Sequence, residues 1–177
     1  MQRFVVLLRG INVGGRNTLP MADLRAMCEG IGCTDVSTYI QSGNVLLGSS
    51  LAAPTLAATL EKALDEALPF SPRVIVRDVA DIQRVIDGNP YPDAADRLLH
   101  VGFMSGAPAQ EALAELGDRD CAPERYAVRG TEIYLDYVEG AGRSKKLGKI
   151  AFERILGVAI TARNLRTVVK LRDLASG

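Results

Sequence analysis

Tryptophan is absent from this 177-residue chain, histidine occurs once, cysteine three times, and no long apolar run is present. Each scarcity excludes something. One histidine, His100, cannot build a multi-histidine metal site, and Cys28, Cys33 and Cys121 form no C-x-x-C pair. Neither a structural zinc site nor a disulfide framework is therefore expected, and no metal or cofactor is called for. That cysteine usage fits a reducing, cytoplasmic setting. No apolar stretch reaches the roughly 18 residues of a membrane helix, and the apolar run Phe4–Leu8 is too short for a signal peptide, so no membrane association is expected. Five tyrosines and four phenylalanines are few for a nucleic-acid module that reads bases by stacking, and only Tyr39 and Tyr134 are placed for it, with burial the alternative for both. General acid–base chemistry is also thinly supplied. His100 sits mid-strand, where a structural role is favoured over a catalytic one. Ser42 lacks the flanking glycine of a nucleophile elbow, and the carboxylates of Asp65-Glu66 and Asp118/Asp120 fall on exposed positions.

What is present is a globular composition, 47% hydrophobic and 24% charged, in a chain long enough for one domain or two small ones. The net charge is zero but unevenly spread: residues 1–142 carry −7 and residues 143–177 carry +7. A basic surface of that kind suits an acidic partner, which could be nucleic acid, a phosphorylated ligand or the acidic part of the same chain.

The apolar periodicity gives the element order. Phe4–Leu8 reads as a buried strand, Pro20–Ile31 as a helix, and Asp35–Gln41 with Val45–Gly48 as a hairpin turning at Ser42-Gly43-Asn44. Leu56, Leu60 and Leu64 mark a helix over 54–68, and Arg73–Arg77 is a further strand. Strand, helix, strand, strand, helix, strand is the split β-α-β, or ferredoxin-like, order. A short helix carrying Val79, Ile82, Val85 and Ile86 leads to Gly88-Asn89-Pro90-Tyr91-Pro92, the best boundary candidate. Leu98–Met104 then reads as a strand, Ala109–Leu116 as a helix, Arg125–Arg129 with Thr131–Val138 as a hairpin, 144–156 as a helix, and the chain from about 164 as a last helix. The expected fold is α+β, an N-terminal ferredoxin-like split β-α-β half packed with a second β-α-β-β-α-α half. The expected subdomains are 1–88 and 89–177.

Between the first strand and helix lies Arg9-Gly10-Ile11-Asn12-Val13-Gly14-Gly15-Arg16-Asn17, the most informative stretch. A glycine-rich link from strand to helix lets backbone amides approach an anion closely, aided by the helix dipole. Gly10 and Gly15 have P-loop spacing, but Arg16-Asn17 stand in place of the lysine and hydroxyl that a nucleotide triphosphatase needs. The dinucleotide spacing is also missing. The same glycines and asparagines equally satisfy a turn at positive φ. At the other end, Lys145 and Lys149 fall one turn apart on the expected 144–156 helix. Arg163, Arg166 and Lys170 fall on one side of the last helix, with Thr161 or Asn164 as its cap, a second candidate anion site.

Three segments together carry a resemblance: Leu7–Asn17, Thr38-Tyr39-Ile40-Gln41-Ser42-Gly43-Asn44-Val45, and Thr161-Ala162-Arg163-Asn164. They resemble the bacterial DUF1697 family, a domain of unknown function, over nearly the whole chain. The family's C-terminal Ser-Lys-Leu-Thr appears here as Ser144-Lys145-Lys146-Leu147-Gly148, and Leu165 replaces the tryptophan of its Thr-x-Arg-Asn-Trp-x-Thr pattern, while Thr167 is kept. The resemblance implies a cytoplasmic α+β protein with a ferredoxin-like N-terminal part and implies no activity.

The expected function is binding of a phosphate-bearing ligand, a nucleotide-like metabolite or nucleic acid, at loop 9–17. The candidate ligand residues are Arg9, Asn12, Gly14, Gly15, Arg16, Asn17, Gln41, Ser42, Asn44, Lys145, Arg163 and Asn164. Two alternatives use the same residues differently: an enzyme acting on a small anionic substrate through Ser42 or Lys145, or a non-catalytic interaction module docking through its basic tail. The sequence leaves the oligomeric state open.

Overall fold

The computed structural model describes residues 1–177. They form two compact units, Met1–Arg84 with Lys170–Gly177, and Val85–Val169.

The first unit contains β1 (Gln2–Arg9), α1 (Met21–Gly30), β2 (Thr34–Tyr39), β3 (Asn44–Ser49), α2 (Ala53–Ala67) and β4 (Arg73–Asp78). Its sheet has the order β2-β3-β1-β4 with antiparallel neighbours throughout, the ferredoxin-like arrangement expected. Phe4, Val6 and Leu8 of β1, with Val45, Leu47, Val74 and Val76, pack against Leu24 and Cys28 of α1 and Leu56, Leu60 and Leu64 of α2. Full burial of each large apolar side chain contributes about 1.5–3 kcal/mol. The intervening Val5, Leu7, Leu46 and Ile75 are buried as well. Burial on both faces explains why β1 is a continuous apolar run without alternation. Pro54 lies in the first turn of α2, and an extended Leu68 ends it before Pro69.

Helix α3 (Val79–Asp87) carries the chain into the second unit. Its start is capped reciprocally: the Asp81 amide donates to Asp78 Oδ1 at 2.7 Å and the Asp78 amide to Asp81 Oδ2 at 3.3 Å.

The second unit contains β5 (Leu99–Met104), α4 (Gln110–Leu116), β6 (Arg125–Arg129), β7 (Glu132–Asp136), α5 (Phe152–Leu156) and β8 (Ile160–Asn164); α6 (Leu165–Ser176) follows. Its sheet order, β6-β7-β5-β8, repeats the topology of the first unit. Met104, Ile133, Leu135 and Tyr137 pack with Leu116, Leu147, Phe152 and Leu156. Gly102 sits at the tightest point of this sheet, since a Cβ there would lie 2.6 Å from Ile133 Cγ2 and 2.8 Å from Ile160 Cγ2.

Two sequence expectations are corrected here. The first concerns Ile160–Asn164, which pairs with β5 as a strand. Arg163 therefore belongs to β8, not to the last helix, and only Arg166 and Lys170 of the proposed basic face lie on α6. Gly157, at φ 67°, ends α5, and the Glu153 carboxylate accepts the Ile160 amide at 2.7 Å, aligning the new strand. The second concerns 144–156, which is not one helix but a 3-10 turn at Leu147–Lys149 followed by the short α5. The Ser144 hydroxyl accepts the Gly148 amide at 2.7 Å and Glu124 accepts the Leu147 amide at 3.0 Å. Side chains thus take amides that helix carbonyls would otherwise bind. Of the two alternatives for Tyr134 the structure shows burial: it is 2% exposed with its hydroxyl donating to the Val85 carbonyl at 2.7 Å, so it offers no face for stacking. No helix is long and apolar enough to cross a membrane.

Candidate functional site

Loop 9–17 is a miniature hairpin. The Asn12 amide donates to the Asn17 carbonyl at 3.0 Å and the Arg16 amide to the Val13 carbonyl at 3.0 Å. Gly14 and Gly15, at φ 58° and 74°, form the two-residue turn between them. Both central residues of such a turn need positive φ, which glycine adopts without steric cost, and their amides lie outside the ladder. Gly10, Asn12 and Asn17 are also at positive φ. Glycine carries no strain there, so the strain of the segment lies at Asn12 and Asn17, the two non-glycine residues that their surroundings hold at positive φ.

Asn12 supplies most of that restraint. Its Nδ2 donates to the Leu19 carbonyl at 3.0 Å and to the Gln41 carbonyl at 2.9 Å, while its Oδ1 accepts the Leu19 amide at 2.8 Å. Asn17 Nδ2 donates to the Gly10 carbonyl at 2.8 Å. These bonds close the loop and join it to the β2–β3 turn. The join is tightened at Gly43, whose carbonyl accepts the Leu8 amide at 2.9 Å. A Cβ on Gly43 would stand 2.8 Å from both Ile11 Cδ1 and Leu8 Cβ, and its φ is 74°. Asn44 is fully buried, and its Nδ2 donates to the Tyr39 carbonyl at 3.1 Å and to Ser42 Oγ at 2.9 Å. The asparagines thus build the platform from within.

What the platform presents is different. Arg16, Gly14, Gly15 and Gln41 are exposed, whereas Arg9 and Ser42 are half-buried. Val13 is 67% exposed and Ile40 is 52% exposed, and they neighbour the joined residues Asn12 and Gln41. Ile40 is at φ 52°, a rare conformation for a β-branched residue. Sequence reasoning passed over Val13 and Ile40. Nothing in their spacing distinguishes them from core residues, and only the backbone conformation brings them out.

Lys145, Arg163 and Asn164 belong to the second unit. Asn164 Oδ1 accepts the Thr167 amide at 2.9 Å and caps α6. Arg163 is half-buried; its guanidinium donates to Thr161 Oγ1 at 2.8 Å and to the Ala162 carbonyl at 2.9 Å, and desolvation lowers its pKa to about 10. Lys145 is exposed beside Ser144 and lines a concavity of about 220 Å³ that does not include Arg163 or Asn164. Glu124, also missed by the sequence reading, anchors this segment by accepting Ser144 Oγ at 2.8 Å and the Leu147 amide. Its partners lie 20 and 23 residues away, too far for any local motif to reveal.

His100 Nδ1 lies 3.0 Å from the Leu98 carbonyl, and its ring packs edge-on to Tyr137 at 5.3 Å between centroids. Burial lowers its pKa, partly offset by that backbone hydrogen bond. The folded state therefore binds fewer protons than the unfolded chain, and the stability this contributes is present above the ordinary histidine pKa of about 6.5. It is lost as pH falls through the depressed folded value. Urea unfolding at pH 7, 6 and 5 should show a steeper loss in the wild type than in His100→Asn; parallel profiles would contradict this assignment. Cys28, Cys33 and Cys121 are free and buried, and burial pushes the Cys28 thiol up to about 12, leaving it protonated at neutral pH. No group of three His, Cys, Asp or Glu side chains is arranged to hold a metal ion.

No curated protein matches the chain. Among solved structures, it is similar to the conserved bacterial protein SP0830 from Streptococcus pneumoniae, with a TM-score of 0.79, 26% identity and 98% of each chain covered. A family model matches residues 1–134. That match spans more than half of the chain, and the chain belongs to the family described as a protein of unknown function, DUF1697.

Proposed function

We propose that the joined loops of the first unit, 9–17 and 40–44, bind a phosphate-bearing ligand through Arg16 and the amides of Gly14 and Gly15. The observation that carries this reading is the rigid, strained loop itself, tied by Asn12 to Gln41 and ending in an exposed arginine. A non-glycine residue held at positive φ, as Asn12, Asn17 and Ile40 are, costs about 1–3 kcal/mol, and such residues gather at ligand clamps and switch regions. Arg16 supplies charge-assisted, bidentate hydrogen bonds, the strongest available to a phosphate at a surface. Val13, which pairs with Arg16 across the hairpin, and Ile40, next to the joined Gln41, are exposed and favour a ligand with an apolar face as well as a charge. A nucleotide-like metabolite or a nucleic-acid strand has both, whereas inorganic phosphate has only the charge. The three free cysteines support a reducing, cytoplasmic setting for this binding.

Thermal unfolding with adenosine monophosphate, short single-stranded RNA and inorganic phosphate, at low and high salt, tests the proposal. A ligand at about 100 times its Kd stabilises the fold by roughly 2.7 kcal/mol. Arg16→Ala is expected to weaken binding about tenfold or more while leaving the unliganded melting temperature unchanged. A shift with the monophosphate that persists in salt marks a metabolite site; one seen only with RNA and lost in salt marks backbone-phosphate binding. No shift with any probe, or equal shifts in wild type and Arg16→Ala, would overturn the reading.

A further inference from the structure

The second unit holds a separate concavity, of about 220 Å³, beside the Ala122-Pro123 peptide. We propose that it binds a small organic carboxylate with an apolar or aromatic body. Its apolar lining comes from Pro123, Val138 and the buried Cys121, and Val138 is one of five large apolar side chains the chain leaves exposed, at 45%. Its charged lining comes from Arg143, Lys145 and Lys146. Lys146 is already engaged with Asp120 Oδ2 at 3.3 Å and the Ala122 carbonyl at 3.2 Å, whereas Arg143 and Lys145 are exposed and outside every ion pair. The segment that carries these cations is anchored: Glu124 accepts Ser144 Oγ and the Leu147 amide, and Ser144 Oγ accepts the Gly148 amide. Side chains on a segment fixed in this way lose less freedom on binding.

Charge and size select the ligand. Glu124 and Glu139 also line the concavity, so against Arg143, Lys145 and Lys146 the lining carries a formal surplus of one positive charge, which suits one negative charge better than the two of a phosphate monoester. The volume corresponds to about seven water molecules at roughly 30 Å³ each, less than a drug-sized ligand fills. A single ring bearing a carboxylate matches both limits.

Saturation-transfer NMR on the full chain with benzoate, phenylacetate and phenyl phosphate tests the proposal. The carboxylates are expected to show saturation strongest on their ring protons, and phenyl phosphate weaker transfer. The double variant Arg143→Ala/Lys145→Ala is expected to lose about tenfold or more in affinity, with circular dichroism unchanged because both residues are exposed. Val138→Asp, which places a like charge in the apolar lining, should abolish binding. Arg16→Ala should leave it untouched, which separates this site from the loop platform. Absence of transfer at millimolar ligand, equal binding by the double variant, or tighter binding of phenyl phosphate would overturn the proposal.

Discussion

Asn12→Ala is expected to lower the unfolding free energy by about 3–4 kcal/mol, since three hydrogen bonds contribute roughly 1 kcal/mol each and alanine at positive φ adds about 1 kcal/mol of strain. The lost bonds are those to the Leu19 carbonyl, the Gln41 carbonyl and the Leu19 amide. Leu19 is 1% exposed, so its amide finds no water to replace Oδ1. Asn12→Gly separates the two contributions, keeping the backbone freedom while losing the bonds, and should cost about 1 kcal/mol less than alanine. Urea unfolding measures the total, and hydrogen exchange at the Leu19 amide reports the release of the loop. A cost under about 1 kcal/mol for Asn12→Ala would show that the loop is held by something other than this side chain.

Arg125→Ala is the second large effect. Arg125 Nε and Nη2 both donate to Asp136 Oδ2, at 3.0 and 2.6 Å, and Nη2 also reaches Asp93 Oδ2 at 3.0 Å. Its guanidinium lies 4.5 Å from the Tyr91 ring centroid. Asp136 is 6% exposed, so truncating the arginine strands a carboxylate away from water. Breaking a buried pair costs about 3–5 kcal/mol, and the partial exposure of Arg125 places the expected value near 2–3 kcal/mol. Adding Asp136→Asn to Arg125→Ala removes the stranded charge and should recover roughly 1 kcal/mol. The two measurements distinguish a destabilising unpaired charge from simple loss of packing, for which the second substitution would recover nothing.

The first unit was legible in the sequence because its signals are local and redundant. The apolar run of β1, the four-residue leucine spacing of α2 and the Ser42-Gly43-Asn44 turn each specify one conformation. The second unit was read less well where distant side chains decide. Glu124 and Ser144 divert the amides of 147 and 148, and Glu153 aligns Ile160 into a strand. Neither is visible in periodicity, so 144–156 read as a helix and 160–164 as the approach to one. The glycines of loop 9–17 pointed correctly to unusual backbone, but their spacing could not show that the asparagines face inward. Asn12, Asn17 and Asn44 bond the protein's own backbone, so the proposed ligand contact rests on Arg16 and its exposed neighbours.

That division between residues that build the platform and residues that meet the ligand is the central claim, and backbone amide NMR tests it most directly. Titrating the labelled protein with adenosine monophosphate and with short single-stranded RNA should perturb the amides of 13–16 and 40–42. The same titration of Arg16→Ala, in an otherwise unchanged spectrum, should perturb them far less. Perturbations elsewhere with these amides unmoved, or an identical response in the variant, would contradict the account.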